Sequence, residues 1–109
     1  MSETIGQALD QLFLTIASKR GKDIGKSYSA TLLNAGPKKC AKKFGEEAVE
    51  LAIAIAAENK VEIAEEAADL LFHFAAAIIA SGVDANEVSR VLAKRRGIGG
   101  LEEKASRPK

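Results

Sequence analysis

The sequence of 109 residues has no tryptophan, one histidine and one cysteine. With Cys40 alone, neither an internal disulfide framework nor a multi-thiolate metal site can be built, and with His73 alone no centre rests on several imidazoles. Carboxylates remain as the plentiful ligand type. An excess of charge is also missing: sixteen basic against fifteen acidic residues give a formal net charge of +1. No overall field therefore selects for nucleic acid or an anionic membrane, and any charge-based function must be local. Long hydrophobic runs are absent too, since the stretches Leu51 to Ala57 and Leu70 to Ala80 fall short of the roughly 20 residues a membrane-spanning helix needs. The start, Met1-Ser2-Glu3-Thr4, has no basic n-region leading into an apolar h-region, so a cytoplasmic protein without membrane or nucleic-acid partners is expected.

Prolines are scarce, with only Pro37 and Pro108, and apolar residues recur at spacings of three and four, so the chain reads as all-α, a bundle of four to five helices. Thr4 and Gln7 form a capping box that starts a first helix near Ile5, which runs to about Arg20 with Gly21 as its cap. Lys22 to Gly36, rich in Gly, Ser, Asp and Asn around Tyr28 to Leu33, is expected to be a structured loop with one helical turn. Pro37 suits the first position of a second helix reaching about Glu58. Asn59 with Glu62, and Asp84 with Glu87, cap a third helix over 61–81 and a fourth ending near Arg96. The whole chain is expected to be one domain, 1–109, with an irregular tail over about 97–109 where Gly97, Gly99 and Gly100 cluster.

Helices two and three each carry a polar end followed by a stretch that is apolar on every side. Such a stretch must be buried all round, and a small four-helix chain leaves one side of this hairpin uncovered. Self-association as a two-fold homodimer is the expected closure.

The most informative residues are Glu47 and Glu50 on helix two and Glu66 and Asp69 on helix three. Each pair is spaced three apart and so shares a helix face. If the two helices run antiparallel about the turn near Asn59, residues whose numbers sum to about 119 are level, which sets Glu50 beside Asp69 and Glu66 about 4.5 Å along the axis. Four carboxylates at the edge of apolar segments repel one another unless a cation balances them. Oxygen-only ligands favour a hard cation, Mg²⁺. Glu46 and Glu65 point about 100° away on their helices. The plain alternative is a solvated acidic face.

Lys38, Lys39, Lys42 and Lys43 crowd the start of helix two, where positive charge opposes the helix dipole; a phosphate-rich ligand offsets that, which makes Lys38, Lys42 and Lys43 candidate substrate-binding residues. Arg95, Arg96, Lys104 and Arg107 form a second basic group able to fold over the same site. His73 continues the acidic face by one turn and is a candidate to contact substrate or orient water, although a histidine within Leu-Leu-Phe-His-Phe is more often packed with satisfied ring nitrogens. Cys40 reads as a small packing or surface residue.

Three segments carry a resemblance: Gly36-Pro-Lys-Lys-Cys-Ala-Lys-Lys-Phe-Gly-Glu-Glu-Ala-Val-Glu50, then Glu65-Glu-Ala-Ala-Asp-Leu-Leu-Phe-His73, then Gly100-Leu-Glu-Glu-Lys-Ala-Ser-Arg107. Together they resemble the phosphoribosyl-ATP pyrophosphatases, within the MazG-like all-α nucleotide pyrophosphohydrolases. The acidic elements are common to the superfamily; the region of Tyr28 and the tail narrow it to the phosphoribosyl-ATP enzymes. The resemblance implies a MazG-like bundle around a central antiparallel hairpin, assembled as a homodimer or larger. It implies hydrolysis of phosphoribosyl-ATP to phosphoribosyl-AMP and pyrophosphate, the second step of histidine biosynthesis. It further implies Mg²⁺ on Glu47, Glu50, Glu66 and Asp69, with Glu46, Glu47 and Glu50 serving catalysis and Glu46 acting on water. Lys39 and Cys40 look less typical of the family. Many relatives carry this domain behind a cyclohydrolase domain, for which 109 residues leave no room, so the next step is expected from another protein. Two other readings stand beside this one: a housekeeping pyrophosphohydrolase of simple (deoxy)nucleoside triphosphates, and a non-enzymatic dimerisation module.

Overall fold

The structure is a computed structural model and describes residues 2–96 and 104–108. Five helices follow one another: α1 (Ile5–Ser18), α2 (Tyr28–Ala35), α3 (Pro37–Ala56), α4 (Lys60–Ala80) and α5 (Ala85–Arg95). Among the described residues there is no strand, only an isolated bridge between Ile24 and Ser27, so the chain is all-α as its spacing implies. The expected irregular tail falls largely outside the described residues, and within 104–108 a helical turn occupies 104–106. No single described helix is long and apolar enough to cross a membrane.

Local chemistry sets the helix starts. The Gln7 amide N–H donates to Thr4 Oγ1 at 3.1 Å while the Thr4 N–H donates to Gln7 Oε1 at 2.9 Å, which satisfies two end donors reciprocally. Asn59 accepts from the Glu62 N–H at 3.1 Å, and Asp84 caps α5 through Asn86. Pro37 occupies the first turn of α3, where a missing N–H costs nothing.

The segment read as a loop is where sequence and structure part. Instead of a loop with one turn, Tyr28–Ala35 is an eight-residue helix. Ser27 caps it by accepting from the Ala30 N–H, and Ala30, Leu32 and Leu33 are buried. So short a helix has almost no stability of its own; burial against its neighbours holds it, and residue spacing alone cannot weigh that.

The core is formed by Ile16 of α1, Leu32 and Leu33 of α2, Cys40 of α3 and Ala75 and Ala76 of α4. The two alanines are fully buried, and their small size lets neighbouring helices approach α4 closely. Phe74 joins the layers, with Phe13 of α1 at 6.1 Å and Phe44 of α3 at 6.2 Å between ring centroids. Cys40 is a packing residue: its thiol donates to the Leu32 carbonyl, and burial pushes its pKa up. At the far end of α4 the Arg20 guanidinium donates to the Ile79 carbonyl at 2.8 Å, meeting one of the helix's unpaired terminal acceptors.

The hairpin of α3 and α4 runs antiparallel about a turn at 57–59. Glu58 sits there at φ 57°, the Asn59 N–H donates to the Ala54 carbonyl and the Glu58 N–H to the Ile55 carbonyl. That is the bonding of a Schellman ending, in which the left-handed position normally falls to glycine. α4 ends the same way with Gly82 in that position at φ 75°. Outward from the hairpin, Val49 (60%), Ile53 (63%) and Ile55 (53%) remain exposed in the single chain.

Candidate functional site

The antiparallel hairpin brings the two acidic pairs to one height. One carboxylate oxygen from each of Glu47, Glu66 and Asp69 lies within 4.8 Å of the other two. Glu50, the fourth expected member, adjoins both Glu47 and Glu66 closely enough to raise their proton affinity. Glu47 and Glu66 are half-buried, whereas Glu50 and Asp69 lie at the exposed rim.

The site is electrostatically unbalanced. Burial, then the negative charge of Glu50, hold the Glu47 carboxyl above the ordinary carboxylate range; His73 pulls it the other way and Asp69 adds to the rise. Glu66 is raised as well, first by burial, then by a hydrogen bond and charge from Glu50 and the charges of Asp69 and Glu47. The buried Oε2 atoms of Glu47 and Glu66 have no hydrogen-bond partner within the protein. A buried acceptor left unpaired is costly, and a cation on the carboxylates satisfies both atoms at once. The donor set is oxygen only, which suits a hard divalent cation and gives Zn²⁺ neither nitrogen nor sulfur.

The remaining candidates fall into different surroundings. Glu46 points away and pairs with Lys43, Nζ to Oε1 3.7 Å, on the exposed surface. Lys38, Lys39 and Lys42 are exposed along the first turns of α3. Arg95 lies in the last turn of α5, a helix that buries no residue, and Arg107 lies in the separate segment 104–108. His73 is buried at 7% exposure and both its ring nitrogens face protein atoms: Nδ1 lies 2.9 Å from the Asp69 main-chain oxygen and Nε2 lies 2.9 Å from the Tyr28 hydroxyl. It is the packed, satisfied histidine of the two readings. The residue that sequence reasoning missed is Tyr28 as a neighbour of this site. Ser27, a capping residue ahead of apolar positions 28 and 32, was the available signal for its helix.

An all-α chain whose central antiparallel hairpin gathers carboxylates, with neither imidazole nor thiolate ligands among them, has the architecture of the MazG-like pyrophosphohydrolases. Comparison with known proteins narrows the class. The family model described as phosphoribosyl-ATP pyrophosphohydrolase matches residues 9–96. A protein of Ruegeria sp. (strain TM1040) named phosphoribosyl-ATP pyrophosphatase is 48% identical over 101 residues, 93% of this chain and 96% of the relative. Relatives of the same name from Caulobacter vibrioides (strain NA1000 / CB15N) and Parvibaculum lavamentivorans are each 46% identical, covering 98% and 91% of this chain and 99% and 91% of their own lengths. The chain belongs to the phosphoribosyl-ATP pyrophosphohydrolase family, and it is an enzyme that hydrolyses a pyrophosphate bond.

Proposed function

We propose that this enzyme hydrolyses phosphoribosyl-ATP to phosphoribosyl-AMP and pyrophosphate, the second step of histidine biosynthesis, in the cytoplasm and with Mg²⁺. The observation that carries the proposal is the carboxylate cluster, three oxygens within 4.8 Å and two buried acceptors unpaired, in a chain of this family. Glu47, Glu50, Glu66 and Asp69 would hold the ion. When bound, Mg²⁺ supplies charge neutralisation at the phosphate oxygens.

The chain's own residues do the rest. Glu46, next to the cluster in sequence, would take a proton from the attacking water once its side chain turns from Lys43 toward the cluster. Lys38, Lys42 and Lys43, at the N-terminal end of α3, attract the phosphates and add their charge to that of the helix terminus. Arg95 and Arg107 are further cations for the same polyanion.

Two copies pair through the hairpin. The support is the exposed pair Val49 and Ile53, one turn apart on the same face of α3, since a single chain gains nothing by leaving such a pair in water. Sedimentation analysis of the purified protein is expected to give twice the 11.5 kDa chain mass; a monomer at micromolar concentration overturns the pairing.

Pyrophosphate release tests the function, measured from phosphoribosyl-ATP, ATP and a deoxynucleoside triphosphate with and without Mg²⁺. Rapid Mg²⁺-dependent release from phosphoribosyl-ATP, with little from the others, is expected. Preference for the simple triphosphates would move the enzyme to a housekeeping role, and release that ignores Mg²⁺ would remove the metal from the carboxylates.

A further inference from the structure

We infer that Tyr28 is a positioning residue of this site: through Nε2 of His73, its hydroxyl fastens the start of α2, and the cationic segment ahead of it, to the turn of α4 that carries Asp69. The inference rests on the proposed hydrolysis at the carboxylate cluster.

The bonding direction follows from what each atom can do. A main-chain carbonyl only accepts, so the Nδ1 of His73, 2.9 Å from the Asp69 oxygen, is the nitrogen that carries hydrogen toward it. In the neutral ring Nε2 is then a bare acceptor, and the Tyr28 O–H, 2.9 Å away, donates to it. One imidazole thus joins the main chain of Asp69, whose carboxylate lies in the cluster, to a helix 45 residues earlier in the chain.

Tyr28 is held by more than its hydroxyl. Its ring stacks on Phe72 at 5.7 Å and 18° and meets the His73 ring edge-on at 5.8 Å. Tyr28 is the first residue of α2, whereas the buried anchors of that helix, Ala30, Leu32 and Leu33, lie further along. The tyrosine therefore fixes the end of α2 that the core does not reach. Ahead of it runs an exposed stretch containing Lys19, Arg20, Lys22 and Lys26. That stretch is tied to α4 at both ends, by Arg20 on the Ile79 carbonyl and by Tyr28 on His73. These ties stand six positions apart on α4, about 9 Å of helix. A cationic strap is thereby fastened to α4 at two points, its Tyr28 end on the histidine that bonds the main chain of Asp69, where a polyphosphate substrate would meet it.

Tyr28→Phe keeps the ring and its stack and deletes only the hydroxyl. His73 is the only histidine in the chain, so the nitrogen resonances of its neutral imidazole need no assignment. Wild-type protein is expected to show hydrogen on Nδ1 and a bare, hydrogen-bonded Nε2, and Tyr28→Phe to move the Nε2 resonance while leaving Nδ1 in place. With phosphoribosyl-ATP and Mg²⁺ the variant is expected to lose about tenfold in kcat with KM within about twofold, and Tyr28→Phe with His73→Gln to lose no more than the worse single variant. A ring carrying its hydrogen on Nε2, an unmoved Nε2 resonance, a loss confined to KM, or a lower melting temperature at unchanged kcat would each overturn the inference. Failure of the wild-type protein to hydrolyse phosphoribosyl-ATP would instead strike the proposed function, and the ring spectrum reads the Tyr28–His73 bond independently of turnover.

Discussion

Glu47 and Glu66 bind protons more tightly in the folded protein than in the unfolded chain, and that difference has a sign. For a carboxyl raised above its ordinary value of 4.5, the folded state holds more protons across the window between the two values. Its stabilising contribution is complete below the unfolded value and is lost as pH rises through the folded one. Metal-free protein should therefore melt at progressively lower temperature as pH climbs from about 4.5 through the raised carboxyl range, read by calorimetry in a chelating buffer. Above that window Mg²⁺ should restore stability, by about 2.7 kcal/mol at a hundred times its dissociation constant. A melting temperature indifferent to Mg²⁺ at neutral pH would count against the ion. Glu50→Gln should lower turnover by at least about a hundredfold with an unaltered far-ultraviolet helix signal; near-normal turnover would remove Glu50 from the metal set. The acidic pairs were legible at this scale because spacing of three and a short hairpin turn fix their relative height. The partner of His73 was not, because a separation of 45 positions carries no local signal of their contact.

Among the elements, the two ends of the hairpin helices offer a matched comparison. Each closes on a residue in the left-handed conformation, Glu58 after α3 and Gly82 after α4, and a side chain in that conformation costs about 1–2 kcal/mol. Glu58→Gly should stabilise the protein by about 1 kcal/mol and Gly82→Ala should destabilise it by a similar amount. Urea titration reads both, and a loss of stability in Glu58→Gly would mean that the Glu58 side chain makes up for its backbone. Four of the five helices were legible to within about two residues from Thr4, Pro37, Asn59 and Asp84, since caps and N-terminal proline are local chemistry. α2 was not. Its Gly, Ser and Asn surroundings argue for a loop, and only the burial of Leu32 and Leu33 decides otherwise.

On the scale of the molecule, the proposed pairing puts Ile53 at an interface. Ile53→Lys should leave the helix content intact and shift the sedimentation profile toward the single chain, since it sets a charge where water is to be excluded; an unchanged dimer would place the interface elsewhere.

The turn that joins α3 to α4 spans just 57–59, and its brevity has a kinetic meaning. Two long helices tied so closely in sequence find each other at little loop-closure cost, whereas α1 must close over the 59 residues that separate Arg20 from Ile79. The hairpin that gathers the carboxylates is thus the part of the chain able to form first, and α2, with almost no helical stability of its own, can only add to a surface already there. The acidic cluster is therefore expected to assemble early in folding, and the tyrosine strap beside it to close last.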